Sequence, residues 1–146
     1  MEFPFIKRSI HREALDKLQD LTQEYQNFRR RNAGIQESAY QSGQNDAVMA
    51  LLPVYDNLLR ALEQPCQDEA YVAGIRMTQK SLLKAFEELG ITEIPALGQI
   101  FDPVLHEALE HIEDDALEEN IVAKVVQCGF RRDDRVLRPA LVIVAN

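Results

Sequence analysis

From Ala14 onward a stripe of mostly apolar side chains recurs in alternating steps of four and three: Ala14, Leu18, Leu21, Tyr25, Phe28, Asn32, Ile35 and Ala39. This is a heptad seam, with Leu18, Tyr25, Asn32 and Ala39 at one core position and Ala14, Leu21, Phe28 and Ile35 at the other. The residues between them are polar, among them Asp16, Lys17, Gln19, Asp20, Gln23, Glu24 and Arg29 to Arg31. A helix with so narrow a stripe cannot bury it alone and needs a partner helix. Asn32 on the seam favours a parallel pair, because a buried Asn meets its twin and fixes register at a cost in stability. The seam therefore predicts a homodimer joined through Leu18, Leu21, Tyr25, Phe28, Asn32 and Ile35. A helix from about Ser9 to Asn45 would be about 55 Å long at 1.5 Å per residue. Past Ala39 the seam weakens at Ser42 and Asp46. Gly34 and Gly43 each cost about 1 kcal/mol in a helix interior, so this stretch is expected to melt early.

A second helical period runs over 47–63 through Val48, Leu51, Leu52, Tyr55, Leu58, Leu59 and Leu62. Pro53 either sits in a first turn or kinks the helix. Gln64 to Asp68 reads as a turn, with Asp68 as N-cap of a further helix. That helix carries Tyr71, Ile75, Thr78, Leu82, Phe86 and Leu89 on one face and stops at Gly90. Two such helices make a hairpin, and two hairpins in a dimer make a four-helix bundle, with Leu58, Leu62, Ile75 and Leu82 facing the partner.

Beyond Gly90 the pattern turns to strands. Ile91 to Ile94 alternates, Ile121 to Cys128 reads as a strand ending at Gly129, Arg132 to Asp134 as a turn, and Val136 to Ala145 as the last strand, with Pro139 at an edge or bulge. Glu113 to Glu119 reads as a solvated acidic loop. The expected class is α+β: a coiled-coil helix over 1–46, a helical hairpin over 47–90 and a small all-β domain over 91–146.

The balance of charge narrows the function. The 146 residues carry 24 acidic and 16 basic side chains, a net charge of -8. That disfavours nucleic acid and anionic membrane surfaces as partners, both of which call for clustered Lys and Arg. Arg29-Arg30-Arg31 on a coiled-coil flank reads as a solvated face or a protein contact. No stretch has the apolar length of a membrane helix. The start, Met1 to Lys7, is too short and polar for a signal peptide, so a cytoplasmic location is the expectation. Cys66 and Cys128 form no CxxC and read as free thiols. His11, His106 and His111 lack zinc-site spacing, and no phosphate loop, nucleophile elbow or catalytic triad order is visible. No metal, no cofactor and no catalysis are therefore expected. Arg131, Arg132, Arg135 and Arg138 gather on one hairpin of an acidic chain. They read either as anchors for a protein contact or as charges that solvate the turn.

Three segments carry a family likeness. Phe101-Asp102-Pro103-Val104-Leu105-His106-Glu107-Ala108-Leu109, then Gly129-Phe130, then Asp134-Arg135-Val136-Leu137-Arg138-Pro139-Ala140-Leu141-Val142-Ile143-Val144 resemble, in order and spacing, the signature of the GrpE family. Tyr25 to Arg31, Leu51 to Leu62 and Gly74 to Gly90 resemble its coiled-coil motif and its two bundle helices. The family comprises nucleotide exchange factors for DnaK-type chaperones. The resemblance implies a parallel dimer with two β wings, one of which enters the chaperone's nucleotide cleft and releases ADP. By the same resemblance Arg135 is the principal contact arginine, and Phe101, Val126 and Val144 are apolar positions on the wing surface. Arg29 matches a contact on the long helix, Glu63 a further contact, and Gly74 a close-packing position on the bundle. Two features depart from the family pattern. The acidic tail and longer lead-in helix are not seen before the seam, and Ser38 stands where a basic residue is frequent. The alternative is a dimeric coiled-coil scaffold without exchange activity.

Overall fold

The structure is a computed structural model that describes residues 4–114 and 117–145. Met1 to Phe3, Asp115, Ala116 and Asn146 lie outside the described residues, so the expected acidic loop is covered only in part. The chain divides into two units, one ending at Gly43 and the other starting at Gln44.

The first helix, α1, spans Pro4–Glu63 and passes through both units. In the first unit its sequence is rich in Gln, Arg and Glu, which favour helix. Side chains one turn apart support it: Lys17 Nζ lies 2.8 Å from Glu13 Oε1, and Gln41 donates to Glu37 at 2.8 Å. The seam is uncovered within the chain, with Leu18, Leu21, Tyr25, Phe28 and Ile35 between 58% and 65% exposed.

The sequence reading placed separate helices before and after residue 46, and a first turn or a kink at Pro53. Instead α1 continues unbroken, with Pro53 inside it. The physical reason is the position of the proline. Val48, Leu52 and Tyr55 are buried on one face of the helix, while Pro53 is exposed. The bond that Pro53 cannot donate thus falls on the solvent side, where water can satisfy the freed carbonyl.

The turn at Gln64 to Asp68 is where the sequence placed it. Asp68 caps α2 (Glu69–Glu88), its Oδ1 accepting from Ala70 N at 3.0 Å and Tyr71 N at 3.1 Å. At the other end Gly90 adopts φ +74, a left-handed conformation that stops the helix.

Among the described residues six strands follow: β1 (Ile91–Ile94), β2 (His106–Ile112), β3 (Ile121–Gln127), β4 (Gly129–Arg132), β5 (Arg135–Arg138) and β6 (Ala140–Ala145). They form two three-stranded sheets. One is antiparallel with order β1-β4-β5; the other has order β2-β6-β3, with β2 parallel and β3 antiparallel to β6. The single last strand expected over 136–145 is two, parted at Pro139. Lacking an N–H, this residue suits the point where the chain leaves one sheet for the other.

Two cores result. Val48, Leu52 and Tyr55 of α1 meet Phe86 of α2, Ile91 of β1 and Phe130 of β4. Phe130 stands edge-on to Tyr55 and Phe86, with ring centroids 5.3 and 5.7 Å away. Each such pair adds about 1 kcal/mol beyond the area it buries. The second core gathers Ala96, Val122, Ala140, Val142 and Val144 in the β2-β6-β3 sheet. Among the described residues no helix is long and apolar enough to cross a membrane.

Candidate functional site

The four arginines of the β4–β5 hairpin divide into an inner and an outer set. Asp133, at φ +49, begins the two-residue turn that joins the strands. Just after it Arg135 opens β5, exposed, with Arg131 half-exposed on β4. Arg132 turns inward instead, where its Nη2 donates to Gln44 Oε1 at 3.0 Å and to the Leu89 carbonyl at 2.9 Å.

Arg138 is also drawn in. Its Nη1 and Nη2 meet the two oxygens of Asp56 at 2.8 and 2.7 Å, and its Nε and Nη2 donate to the Cys128 carbonyl at 3.1 and 2.7 Å. The guanidinium lies 5.8 Å from the Phe130 ring centroid. Asp56 accepts a further bond from Gln127 Nε2 at 2.7 Å. Of the arginines proposed from sequence as contact anchors, Arg132 and Arg138 thus hold the hairpin to the helices. Sequence reasoning did not find Asp56, because no periodicity links residues 82 apart.

The apolar positions also divide. Val126 sits where the β3–β6 register shifts, between Val125 and Gln127, and is 46% exposed. A bulge leaves its residue out of the ladder and re-aims its side chain. Phe101 is half-buried against the second core. The expectation of a surface position does not hold for Val144, which has no exposed area and lies inside that core. It faces inward by the alternation of the strand, since Ala140, Val142 and Val144 are buried while Leu141 and Ile143 between them are only half-buried.

The family-like segment around Asp102 explains itself locally. Asp102 Oδ1 accepts from Val104 N at 2.8 Å, and the Asp102 carbonyl accepts from Leu105 N and His106 N at 3.1 and 2.8 Å. The turn so formed directs His106 into the interior, where its Nδ1 accepts the Asp102 N–H at 3.1 Å.

Glu63 and Val126 are brought together. Both line a groove of about 330 Å³ between the end of α1 and β3, with Leu59, Arg60 and Leu141. Arg29 is exposed on α1 in the first unit. Gly74 is exposed on α2, and a Cβ built there meets nothing within 4 Å, so the expected close packing does not occur within the chain. Leu58, Leu62 and Ile75 are half-buried. Leu82, expected to face a partner, packs on the chain's own first core, because its turn of α2 also carries the buried Phe86.

Two ionisable side chains inside the domain are held neutral. Burial raises the Tyr55 phenol well above its ordinary range, and its hydroxyl lies between Gln79 Nε2 at 3.1 Å and Glu93 Oε2 at 3.2 Å. Burial, then hydrogen bonding to Glu93, pushes the Cys128 thiol up to about 12. A protonated thiol is a poor nucleophile. What the surface does offer, among the described residues, is the exposed Arg135 guanidinium at the tip of an otherwise internally bonded hairpin. That arrangement suits binding an acidic protein surface.

The GrpE family model matches residues 7–146. The chain belongs to the GrpE family. It is 43% identical over 131 residues to the Protein GrpE of Clostridium beijerinckii, covering 90% of this chain and 63% of that protein. To the Protein GrpE of Clostridium acetobutylicum it is 42% identical over 133 residues, covering 91% and 66%. To that of Staphylococcus carnosus it is 36% identical over 146 residues, covering 98% and 73%. The chain thus spans just under two thirds of the length of the two clostridial GrpE proteins. The GrpE match includes the Phe101–Leu109 turn and the hairpin with its inner and outer arginines.

Proposed function

We propose that this chain is a co-chaperone that binds the ATPase domain of a DnaK-type chaperone and accelerates ADP release by opening its nucleotide cleft. It acts as a homodimer, in the cytoplasm, without making or breaking a covalent bond. Membership of the GrpE family supports this reading. The observation that carries it within the chain is Arg135, left free at the hairpin tip while Arg132 and Arg138 beside it are committed to internal bonds. The uncovered seam from Leu18 to Ile35 supports the dimer, since large apolar side chains at heptad spacing call for a second helix. The C-terminal part of α1 with α2 would then complete a four-helix bundle with the partner's copy.

Exchange of this kind is linkage. A factor that binds the open, nucleotide-free state more tightly weakens nucleotide binding by the same free energy. Titration calorimetry against the ATPase domain tests it. The native chain is expected to bind the nucleotide-free form more tightly than the ADP form. Arg135→Ala should lose about 2 kcal/mol or more of that binding, as anchoring arginines do. Equal affinity for the two forms would contradict exchange and leave a coiled-coil scaffold.

A further inference from the structure

The strand that presents Arg135 is poorly supported by its own sheet. β5 is four residues long and lies at the edge, bonded to β4 alone. Its pairing is interrupted, since the register shifts between Phe130 and Arg131. Three residue pairs with β4 and Leu137 packed on the first core hold it, but none of these is a polar clamp to the helix.

Its last residue supplies one. Arg138 sets its planar fork against both oxygens of Asp56, caps the Cys128 carbonyl with two of its nitrogens, and lies over Phe130. Asp56 binds β3 as well, through Gln127. The paired side chains are each only 15% exposed, and their polar atoms are spent on one another, on Gln127 and on the Cys128 carbonyl. A two-pronged guanidinium–carboxylate pair fixes orientation as well as distance, which a lysine ammonium cannot do. Arg135 stands three residues back along the same strand, about 10 Å at strand rise.

We infer that Asp56 and Arg138 are positioning residues that lock the Arg135 strand onto α1, so that docking of Arg135 is transmitted to the partner as cleft opening rather than absorbed by a yielding strand. This rests on the exchange reading. A factor weakens nucleotide binding only as far as it prefers the open state to the closed one. A strand free to shift would fit both states alike. It would still bind, but the two affinities would converge and coupling would fall.

The test compares native chain, Asp56→Asn and Arg138→Lys, each shown to be folded by circular dichroism. It measures affinity for the nucleotide-free and ADP-loaded ATPase domain, and ADP release at saturating factor. Both variants are expected to keep nucleotide-free affinity within about threefold, to gain affinity for the ADP-loaded form, and to lose about tenfold in saturating release, within the usual span of coupling between sites. Amide exchange over 135–138 should rise in both. Release unchanged, or affinity and release lost in proportion, would overturn the inference and make the pair merely structural. A native chain that accelerates nothing would instead overturn the exchange reading beneath it.

Discussion

Gly129 and Ala140 touch where the two sheets meet. Gly129 opens β4 in one sheet and Ala140 opens β6 in the other, and a Cβ on Gly129 would lie 2.5 Å from the Ala140 nitrogen and 2.9 Å from its Cα. Both atoms are backbone, and the Ala140 N–H is already committed to the Leu105 carbonyl at 3.0 Å. Neither side can yield cheaply. Gly129→Ala is expected to destabilise the β domain by about 2–3 kcal/mol, as overpacking in a closed core does. A shift in the urea midpoint without a change in slope would record it. An unchanged midpoint would mean that the sheets are not in contact there.

In α1 the opposite holds for Gly34. It lies off the heptad seam, and nothing stands within 4 Å of a Cβ built on it. The residue costs helix stability and returns no packing. Gly34→Ala should stabilise the helix by about 1 kcal/mol and raise the temperature at which the coiled-coil segment melts. Circular dichroism at 222 nm reads this directly, and a lower melting temperature would show that the glycine is needed for a close approach to another chain.

The two thiols should differ in reactivity. Cys66 is exposed, whereas Cys128 is half-buried with its thiol pushed up to about 12 from an ordinary value of 9.0. A thiol reagent at pH 8 should label Cys66 at once and Cys128 only after unfolding. The same shift gives a pH dependence. Below about pH 9 the thiol is protonated whether folded or not, so it contributes no difference. Above that the unfolded chain releases the proton and the folded one keeps it, so stability falls as pH rises from 9 toward 12. Substituting Cys128 by Ala should flatten that part of the profile.

Leu21 is 65% exposed within the chain, yet sits at a core position of the seam. A carboxylate there would have no partner in a paired coiled coil. Leu21→Asp is therefore expected to halve the mass measured by light scattering at micromolar concentration. A mass unaffected by the substitution would remove the seam as the dimer contact.

How much of this was legible in the sequence follows from the range of each signal. Local chemistry read well: Asp68 as a cap, Gly90 as a stop, the turn at Asp133-Asp134. The helical stripe at Val48, Leu52 and Tyr55 was visible, but its continuity through Pro53 was not, because the proline's exposure depends on what the rest of the helix packs against. β2 was missed: as an edge strand it carries Glu107, Glu110 and His111 outward, and a register shift between Ala108 and Glu110 breaks its alternation. β3 was found by composition, although Val126 lies at one such shift. The fate of the arginines was beyond local pattern. Arg135 and Arg138 look alike in sequence, and only the approach of Asp56 from α1 separates a free anchor from a buried strut.

The most direct measurement is the release rate of a fluorescent ADP analogue from a DnaK-type chaperone by stopped flow, with and without the native chain and Arg135→Ala. Strong acceleration by the native chain that the substitution abolishes is the expected result. An unchanged rate with a folded dimer present, or equal acceleration by Arg135→Ala, would contradict exchange through the β5 hairpin.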